Sequence, residues 1–235
     1  MKYKIDIIYF SKKKLQIYLE NDFVLEQLSS RKKFKNTYYD DWILENSAKR
    51  MIYSEIIKQL NPFKKKSLID VGGGIHYFTN YFANNFSYTL IDPLYNFDKI
   101  KLKNFRKNQS NMNHIKSDWI NYNGKKAKLM LANDLFPNID QRIEQFIKFA
   151  KKYCETLFLI ATFHNEPKSY LTKRTDANEF LWVSQFSGFL LTNILQRVGL
   201  NISYYHKNKI RRLNENLFLN NRQVILLKIN FLKQL

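Results

Sequence analysis

The sequence predicts an α/β fold, in which a mainly parallel sheet lies between layers of helices. Short apolar runs typical of buried strands alternate with stretches whose apolar residues recur at helical spacing. One such run leads directly into a glycine turn and then a helix, over residues 67–82. With 235 residues, of which 45% are hydrophobic, the chain can bury one substantial core.

The N-terminal part differs in composition from the rest. Residues 1–41 are rich in charge, contain neither glycine nor proline, and are predicted to form an extension or cap. Within them, residues 4–10 fit a strand or the start of a helix, and residues 15–25 show weak helical periodicity. This segment either covers the substrate or is a structural extension without ligand contact. Residues 42–235 form the predicted main domain.

A stronger helix opens the main domain at residues 42–60, where an apolar stripe ends at Asn61-Pro62. The next stretch, residues 67–76, is the most informative part of the chain. A short buried strand there is followed by three residues without a Cβ, which permit a sharp turn close to a ligand. These residues are Gly72, Gly73 and Gly74. A strand, a glycine turn and a helix in this order are typical of a nucleotide-binding edge.

An acidic residue, Asp70, lies two positions before the first glycine. A dinucleotide fingerprint would need a glycine at Tyr77, and no Gly-Lys-Ser or Gly-Lys-Thr phosphate-binding sequence is present. A carboxylate at this position would repel a pyrophosphate and attract an ammonium group. S-adenosylmethionine carries an ammonium and a sulfonium but no phosphate. A glycine-rich turn without a ligand is the alternative.

The segment Asp70-Val71-Gly72-Gly73-Gly74 resembles the first motif of the class I S-adenosylmethionine-dependent methyltransferases. The resemblance extends over about residues 42–230. It implies a Rossmann-like, doubly wound sheet of seven strands, mostly parallel, with an antiparallel C-terminal hairpin. It also implies methyl transfer from S-adenosylmethionine. One departure is His76, which replaces the frequent last glycine of the motif at the methionine end of the cofactor.

Asp92 ends the predicted second strand, residues 88–91, and lies about twenty residues beyond the first glycine. An acid at this distance can accept two hydrogen bonds from a ribose diol. The alternative is a turn-forming Asp-Pro pair. After the predicted third strand, residues 114–117, the resemblance implies that Asp118 binds the adenine amino group and that Trp119 packs beside the adenine. An exposed acid and a core tryptophan are the alternative.

Two further predicted strands end in polar residues. Residues 129–132 lead to Asn133 and Asp134, and residues 157–163 lead to His164. Because ligands of doubly wound sheets bind outside the carboxyl ends of the strands, Asn133 and Asp134 are predicted beside the methionine moiety and the transferred methyl group. His164 and Asp134 are the candidate general bases for an oxygen nucleophile. A strand-end histidine without a role is the alternative.

The predicted acceptor is a small polar metabolite. The sequence Asn133-Asp134-Leu135-Phe136-Pro137 lacks the paired prolines and stacking aromatic of amino-directed DNA methyltransferases and is more similar to small-molecule members. Polar residues 168–178 form a candidate substrate lid or a long connection. We expect O-methylation of a sugar hydroxyl in surface-polysaccharide biosynthesis, with an anionic or nucleotide-linked sugar as substrate. A nucleic-acid methyltransferase and a non-catalytic binding module are the alternatives.

The remaining elements complete the expected sheet. Helices are predicted over residues 143–150 and 180–198, and strands over residues 201–205 and 223–229. The resemblance makes these two strands the antiparallel hairpin.

The net charge of +19 fits an anionic partner such as nucleic acid, lipid or substrate, or a compositional bias of the genome. The single cysteine, Cys154, excludes an intramolecular disulfide and a cysteine zinc cluster. No His/Asp cluster at metal-ligand spacing, secretory signal or membrane span is predicted, and we expect a cytoplasmic protein.

Overall fold

The computed structural model of the chain describes residues 3–29, 38–94, 112–174, 179–218 and 220–231. The strands are β1 (Tyr3–Tyr9), β2 (Ser67–Val71), β3 (Ser87–Ile91), β4 (Met112–Ile115), β5 (Ala127–Phe136), β6 (Cys154–Phe163), β7 (Ser169–Arg174), β8 (Glu179–Ser184) and β9 (Gln223–Phe231). The helices are α1 (Lys12–Leu19), α2 (Phe23–Ser29), α3 (Tyr38–Glu45), α4 (Ser47–Leu60), α5 (Tyr77–Asn85), α6 (Ile143–Tyr153), α7 (Gly188–Arg197) and α8 (Tyr204–Arg212).

Seven strands form the central sheet, in the order β1-β9-β6-β5-β2-β3-β4. The strands from β6 to β4 are parallel to one another, and β9 is antiparallel to both of its neighbours. The predicted class, a mostly parallel seven-stranded sheet with an antiparallel strand near the C-terminus, is confirmed. The carboxyl ends of β2, β3, β5 and β6 therefore lie along one edge, together with the beginning of β9.

The outer partner of β9 corrects one prediction. It is β1, from the N-terminus, and not residues 201–205. The predicted strand at 201–205 is wrong because Ser203 caps a helix there: its hydroxyl accepts a hydrogen bond from the main-chain N–H of His206, at 3.3 Å. The helix α8 that follows has a single buried apolar residue, Ile210. Residues 3–9 belong to the main sheet, and the division of the chain at residue 41 stays a prediction.

A second correction concerns the segment after β6. Within the predicted polar loop at 168–178, residues Ser169–Arg174 form β7, the first strand of a hairpin, which pairs antiparallel with β8. The predicted helix over 180–198 begins only at Gly188, where the hydroxyl of Ser187 accepts a hydrogen bond from Leu190 N–H. Alternation of large apolar residues with smaller or polar ones in β8, including Phe180 and Trp182, favours a strand over a helix. Residues 175–178 lie outside the described part of the chain.

Two apolar clusters pack on the two faces of the sheet. In β5, Leu129 and Leu131 belong to the cluster that includes residues of α4 and α5. Met130 and Ala132 belong to the other cluster, with residues of α6, α7 and α8. This alternation along one strand is the period of two that buries both faces of a doubly wound sheet.

The predicted helix over 42–60 is two helices, α3 and α4. The chain leaves the helical conformation at Asn46, whose side chain accepts a hydrogen bond from Lys49 N–H at 3.1 Å and so begins α4. An ion pair of 2.8 Å between Asp22 and Arg50 joins the N-terminal segment to α4. Within the described ranges, no helix has both the length and the apolar character needed to cross a lipid bilayer.

Candidate active site

The glycine turn connects β2 to α5 at the edge of the sheet. Gly72 and Gly74 have φ angles of +68° and +64°, in the left-handed region that favours glycine. The N–H of Gly72 donates to the carbonyl of Ile91, the last residue of β3, at 2.9 Å. The turn is therefore fixed to the neighbouring strand.

Gly73 has a different requirement, because the carboxyl group of Asp70 lies directly against it. A Cβ atom on residue 73 would be 2.6 Å from Cγ and 2.7 Å from Oδ1 of Asp70. No carbon atom tolerates such a contact, so any side chain here would displace the carboxylate. The glycine allows Asp70 to fold back over the turn.

Asp70 is a buried acid with one unused oxygen. Its exposed fraction is 2%, and its Oδ2 accepts a hydrogen bond of 2.8 Å from the hydroxyl of Tyr88. Oδ1 has no partner among the described residues. Burial raises the pKa of Asp70 to about 7, the bond from Tyr88 opposes this rise, and the charge of Asp92 adds to it. A cationic group beside Oδ1 would relieve the cost of this buried carboxylate.

Asp92 holds the glycine turn from the end of β3. Its Oδ2 accepts from the N–H of Gly74 at 2.9 Å, and its Oδ1 accepts from the N–H of Leu94 at 2.8 Å. The acid that the spacing singled out is thus brought to the glycine turn. Its contact with a ribose diol stays a prediction.

His76 caps helix α5, which explains the missing last glycine. Its φ of −154° is extended backbone, so residue 76 has no need of a glycine. Nδ1 accepts from the N–H of Phe78 at 3.1 Å, and Nε2 lies 3.2 Å from the hydroxyl of Tyr53. The proton of the neutral ring is therefore on Nε2. Burial lowers the pKa of His76 to about 4.

A carboxylate of the protein itself occupies the N-terminus of α5. Asp40, on α3, accepts a hydrogen bond of 2.7 Å from the N–H of Tyr77. Helix N-termini are common phosphate-binding positions, because their N–H groups are unpaired. With Asp40 and His76 in this position, a pyrophosphate has no place there. This agrees with a ligand that lacks phosphate, and it locates the N-terminal helices beside the site.

The structure places Trp119 in the core. Its exposed fraction is 4%, and its ring packs against those of Phe146 and Phe149. Its indole N–H donates to Asp140 at 2.8 Å. Trp119 is thus a core residue held by Asp140, and its contact with an adenine stays a prediction.

The carboxylate of Asp118 accepts a main-chain hydrogen bond with one oxygen and forms an ion pair with the other. Its Oδ1 accepts from Ile120 N–H at 3.0 Å, and its Oδ2 pairs with Arg142 at 2.8 Å. Arg142 is also held by Asp140, and its guanidinium carbon lies 4.8 Å from the centre of the Trp119 ring. Asp118 remains about two-fifths exposed, and its contact with adenine stays a prediction.

Asn133 and Asp134 lie near the end of β5, where the pairing of β5 with β6 is irregular. The register of β5 with β6 shifts between Ala132 and Phe136, and Asp134 has a φ of +61°. The side chain of Asn133 is buried, and its Oδ1 has no partner within the described chain. Both residues lie just beyond Ala132, the last residue of β5 that pairs with β2, and so at the edge where β2 ends.

Asp134 forms an ion pair with a buried lysine. The distance from its Oδ2 to Nζ of Lys49 is 2.6 Å, and the side chain of Lys49 is 3% exposed. Asn138 donates to the other oxygen at 2.8 Å. Burial lowers the pKa of Lys49, and the carboxylate of Asp134 opposes this effect. The ion pair disfavours Asp134 as a general base, because a proton on Asp134 would leave the buried ammonium unpaired.

His164 lies at the end of β6 with both ring nitrogens unpartnered among the described residues. Its exposed fraction is 6%, and its main-chain N–H donates to Phe186 at 2.8 Å. Burial, followed by the nearby charge of Arg222, lowers the pKa of His164 to about 4. The ring is therefore neutral near pH 7 and has a free lone pair.

Sequence reasoning missed three residues of the site. Lys49 and Tyr53 lie on α4, and Arg222 directly precedes β9. Lys49 had a signal, because it falls in helical register with Ile52 and Ile56 of the apolar stripe, where an unpaired lysine is costly. Arg222 had no comparable signal.

Buried polar atoms without a partner concentrate at this edge of the sheet. Within the described part of the chain, such side-chain atoms belong to Asp70, Asn80, Asn133, His164 and Arg222. All but Asn80 lie where strands of the central sheet end or begin at the site. Since buried polar groups are normally hydrogen-bonded, a polar ligand is expected here. No group of three or more His, Cys, Asp and Glu in the described ranges is placed to hold a metal ion.

The comparison with protein families decides the identity. Residues 37–205 match the model of a family described as a methyltransferase domain. The chain belongs to this family. It is a class I S-adenosylmethionine-dependent methyltransferase, and its cofactor is S-adenosylmethionine. No curated protein sequence matches this methyltransferase.

Solved structures similar to this methyltransferase share its fold at low sequence identity. The N-terminal domain of EvdMO1 with SAH bound is 9% identical, with a TM-score of 0.55, over 90% of this chain and 95% of that one. The 1,6-didemethyltoxoflavin-N1-methyltransferase of Burkholderia thailandensis is 12% identical, with a TM-score of 0.53, over 96% and 92%. Coclaurine N-methyltransferase, bound to N-methylheliamine and SAH, is 12% identical, with a TM-score of 0.50, over 93% and 92%.

Proposed function

We propose that this methyltransferase binds S-adenosylmethionine over the carboxyl ends of β2 and β3 and methylates a small polar acceptor beside β5 and β6. The acceptor we favour is a sugar hydroxyl, in surface-polysaccharide biosynthesis. The observation that carries the proposal is the carboxylate of Asp70, buried beside a turn without side chains and with one oxygen unpartnered among the described residues. A cationic, phosphate-free ligand fits this arrangement.

Each site residue is proposed to bind a different group of the cofactor. Asp70 would pair with the ammonium, and the glycine turn would allow the ligand to approach the backbone. Asp92 would accept hydrogen bonds from the ribose diol, and Asp118 from the adenine amino group. Asn133, with its unpartnered oxygen, would lie beside the methionine moiety. Trp119 would support Asp118 from below through Asp140 and Arg142.

The chain's main catalytic task is to orient the acceptor and take up its proton. S-adenosylmethionine supplies a methyl group that is already electrophilic, so placement of the nucleophile in line accounts for much of the acceleration. His164 would accept the proton of the acceptor hydroxyl through an unpartnered ring nitrogen. Asp134 would position Lys49 rather than act as the base.

A small acceptor is supported by the similar structures. One was solved with N-methylheliamine bound and another with 1,6-didemethyltoxoflavin bound. The choice of a sugar rests on the polar residues at the ends of β5 and β6. A nucleic-acid acceptor is favoured by one observation: α8 carries four basic residues beside the exposed Tyr204 and Tyr205. Binding of RNA that survives about 0.2 M salt would support this second candidate.

Calorimetry with S-adenosylmethionine, SAH and NAD tests the cofactor site. We expect the first two to bind and NAD not to bind. Asp92→Ala should weaken both by about 1–3 kcal/mol, because ribose hydroxyls and backbone N–H groups lose a charged acceptor. Asp6→Asn, on the distant strand β1, is the matched control and should bind like the wild type. Unchanged affinity in Asp92→Ala would remove Asp92 from the site, and binding of NAD would contradict the proposal.

Transfer of radiolabelled methyl groups to a panel of nucleotide-linked and acidic sugars tests the acceptor. Labelling of a sugar supports the proposed reaction, whereas labelling of RNA alone supports the second candidate. A protein that binds S-adenosylmethionine and labels neither class would be a non-catalytic binding module.

A further inference from the structure

We propose that the end of β6 and the start of β9 form an anion-binding subsite, in which Arg222, backed by Lys49 and beside His164, recognises a carboxylate or phosphate group on the acceptor. This inference rests on the proposed function, since it specifies the charge of the molecule that is methylated. It goes beyond that function because it assigns a recognition role to residues outside the cofactor site.

Arg222 is a partly buried cation whose hydrogen-bonding capacity is not used up. Its side chain is 18% exposed, and its Nε is buried without a partner in the described chain. Its guanidinium carbon lies 5.3 Å from the centre of the Phe218 ring. Its ion-pair partner among the described residues, Asp134, is 3.7 Å away, which exceeds the 2.7–2.9 Å typical of charged hydrogen bonds. A second acceptor would satisfy the unpaired N–H.

The charges around Arg222 do not cancel. Asp134 is committed to Lys49 by the shorter contact of 2.6 Å, and Lys49 also lies 4.4 Å from the centre of the Trp42 ring. Two cations thus share one carboxylate, and the cluster retains one positive charge. Arg222 also acts unfavourably on the charge of Lys49. One negative charge on a ligand would restore the balance in this poorly solvated place.

His164 connects the subsite to the reaction. Both of its ring nitrogens are unpartnered within the described ranges, and the charge of Arg222 disfavours its protonation. An anion paired with Arg222 would offset that charge. His164 would then accept a proton more readily when an anionic acceptor is bound than when the subsite holds none.

The anion could belong to the acceptor or to the cofactor, whose methionine carboxylate offers the same chemistry. In the sheet, β6 and β5 lie between β9 and β2, so the main chain of β9 is three strand spacings, or about 14 Å, from that of β2. The side chain of Arg222 spans part of this distance, since it lies 3.7 Å from Asp134 of β5. The neighbouring end of β6, where His164 lies, favours the acceptor, and the experiment below separates the two sources.

The test uses the full-length chain saturated with SAH and follows the ring resonance of His164 by NMR. The probes are inorganic phosphate, glucuronate and glucose. We expect phosphate or glucuronate to shift the resonance saturably and glucose to leave it in place. A response to phosphate alone identifies a phosphorylated acceptor, and a response to glucuronate alone identifies a carboxylated one.

Variants of Arg222 test whether the anion binds at this residue. Arg222→Gln should weaken the responding anion by about tenfold or more, which is about 1.4 kcal/mol or more. Arg197→Gln, an exposed arginine on α7, is the matched control and should respond like the wild type. If Arg222→Gln fails to fold, Arg222→Lys replaces it and should retain partial binding, because it keeps the charge but loses the planar fork.

Three results would overturn the inference: neither anion shifts His164, Arg222→Gln responds like the wild type, or Arg222→Gln weakens SAH as much as it weakens the anion. The last result would assign Arg222 to the cofactor carboxylate. Titration of SAH in the same samples keeps the two proposals apart. Failure of the wild type to bind SAH contradicts the proposed function, whereas binding of SAH without any anion response contradicts only the subsite.

Discussion

The two ends of the candidate active site carry opposite charges. At β2 and β3, Asp70 and Asp92 surround the glycine turn, and their side chains contact hydroxyl and N–H donors. At β6 and β9, Arg222 lies near His164, and Lys49 reaches the same place from α4. In the two proposals above, one edge of the sheet offers acids to a cationic donor and cations to its acceptor. The comparison thus predicts that electrostatics orient the two substrates, each toward its own half.

The halves also differ in how they are built. The acidic half comes from one local unit, β2 with its turn and helix, and from the adjacent strand. The basic half joins α4, the end of β6 and the start of β9, which are far apart in sequence. Each of the following variants changes one half only. An effect on the ligand of the other half would contradict the separation of the site into an acidic and a basic half.

The largest effect is expected from Gly73→Ala, in the acidic half. The new Cβ would meet the carboxyl group of Asp70, which must then leave its position. We expect SAH affinity to fall about a hundredfold, or roughly 3 kcal/mol, as measured by calorimetry. If the effect passes through Asp70, the double variant Gly73→Ala/Asp70→Asn should lose little more than Gly73→Ala alone. Additive losses would show that Gly73 acts independently of the carboxylate.

The pH dependence of cofactor binding is the next largest effect. Burial raises the pKa of Asp70 to about 7, so below that pH the free protein must release a proton before the carboxylate can pair with an ammonium. The dissociation constant of SAH should therefore rise by up to about tenfold per pH unit as the pH falls below 7. Asp70→Asn should not show this slope. The two buried histidines of the site, with pKa values of about 4, titrate below this range.

Lys49→Met should affect the basic half selectively. Asp134 would then be free to pair with Arg222, which lies 3.7 Å away, and the excess positive charge would be lost. We expect the phosphate or glucuronate response of His164 to weaken by about tenfold, while SAH affinity changes by less than about twofold. Stability should change little, because the remaining carboxylate of Asp134 is 27% exposed and has Arg222 as a second partner. A large loss of SAH affinity would contradict the division into halves.

The sequence predicted the sheet better than it predicted the order of its strands. Apolar runs identified β2, β3, β5 and β6, because burial on both faces makes most residues of these strands apolar. The edge position of β1 was not predicted, since a strand at the edge of a sheet shows a weaker apolar pattern. The hairpin of β7 and β8 was missed because the prediction extended the helical periodicity of α7 back to Phe180, and because the largely polar residues of β7 are typical of a loop.

The sequence by itself determined the acidic half of the site. Asp70 and the glycine turn are contiguous in the chain, and Asp92 follows at the end of the next strand, so local geometry and one parallel pairing bring them together. The positive φ angles of Gly72 and Gly74 and the contact of Gly73 with Asp70 explain why these residue types stand there. Such constraints act over a few residues and leave a pattern in the sequence.

Only the tertiary structure decided the basic half and the burial of Trp119. The order of strands places β9 beside β6, and this brings Arg222 to His164 and to the ion pair of Asp134 with Lys49. Periodicity reports which face of an element is buried, but it does not report which elements become neighbours. Contacts between distant segments depend on which elements become neighbours. Whether Arg222 has a partner is therefore set by the order of the strands.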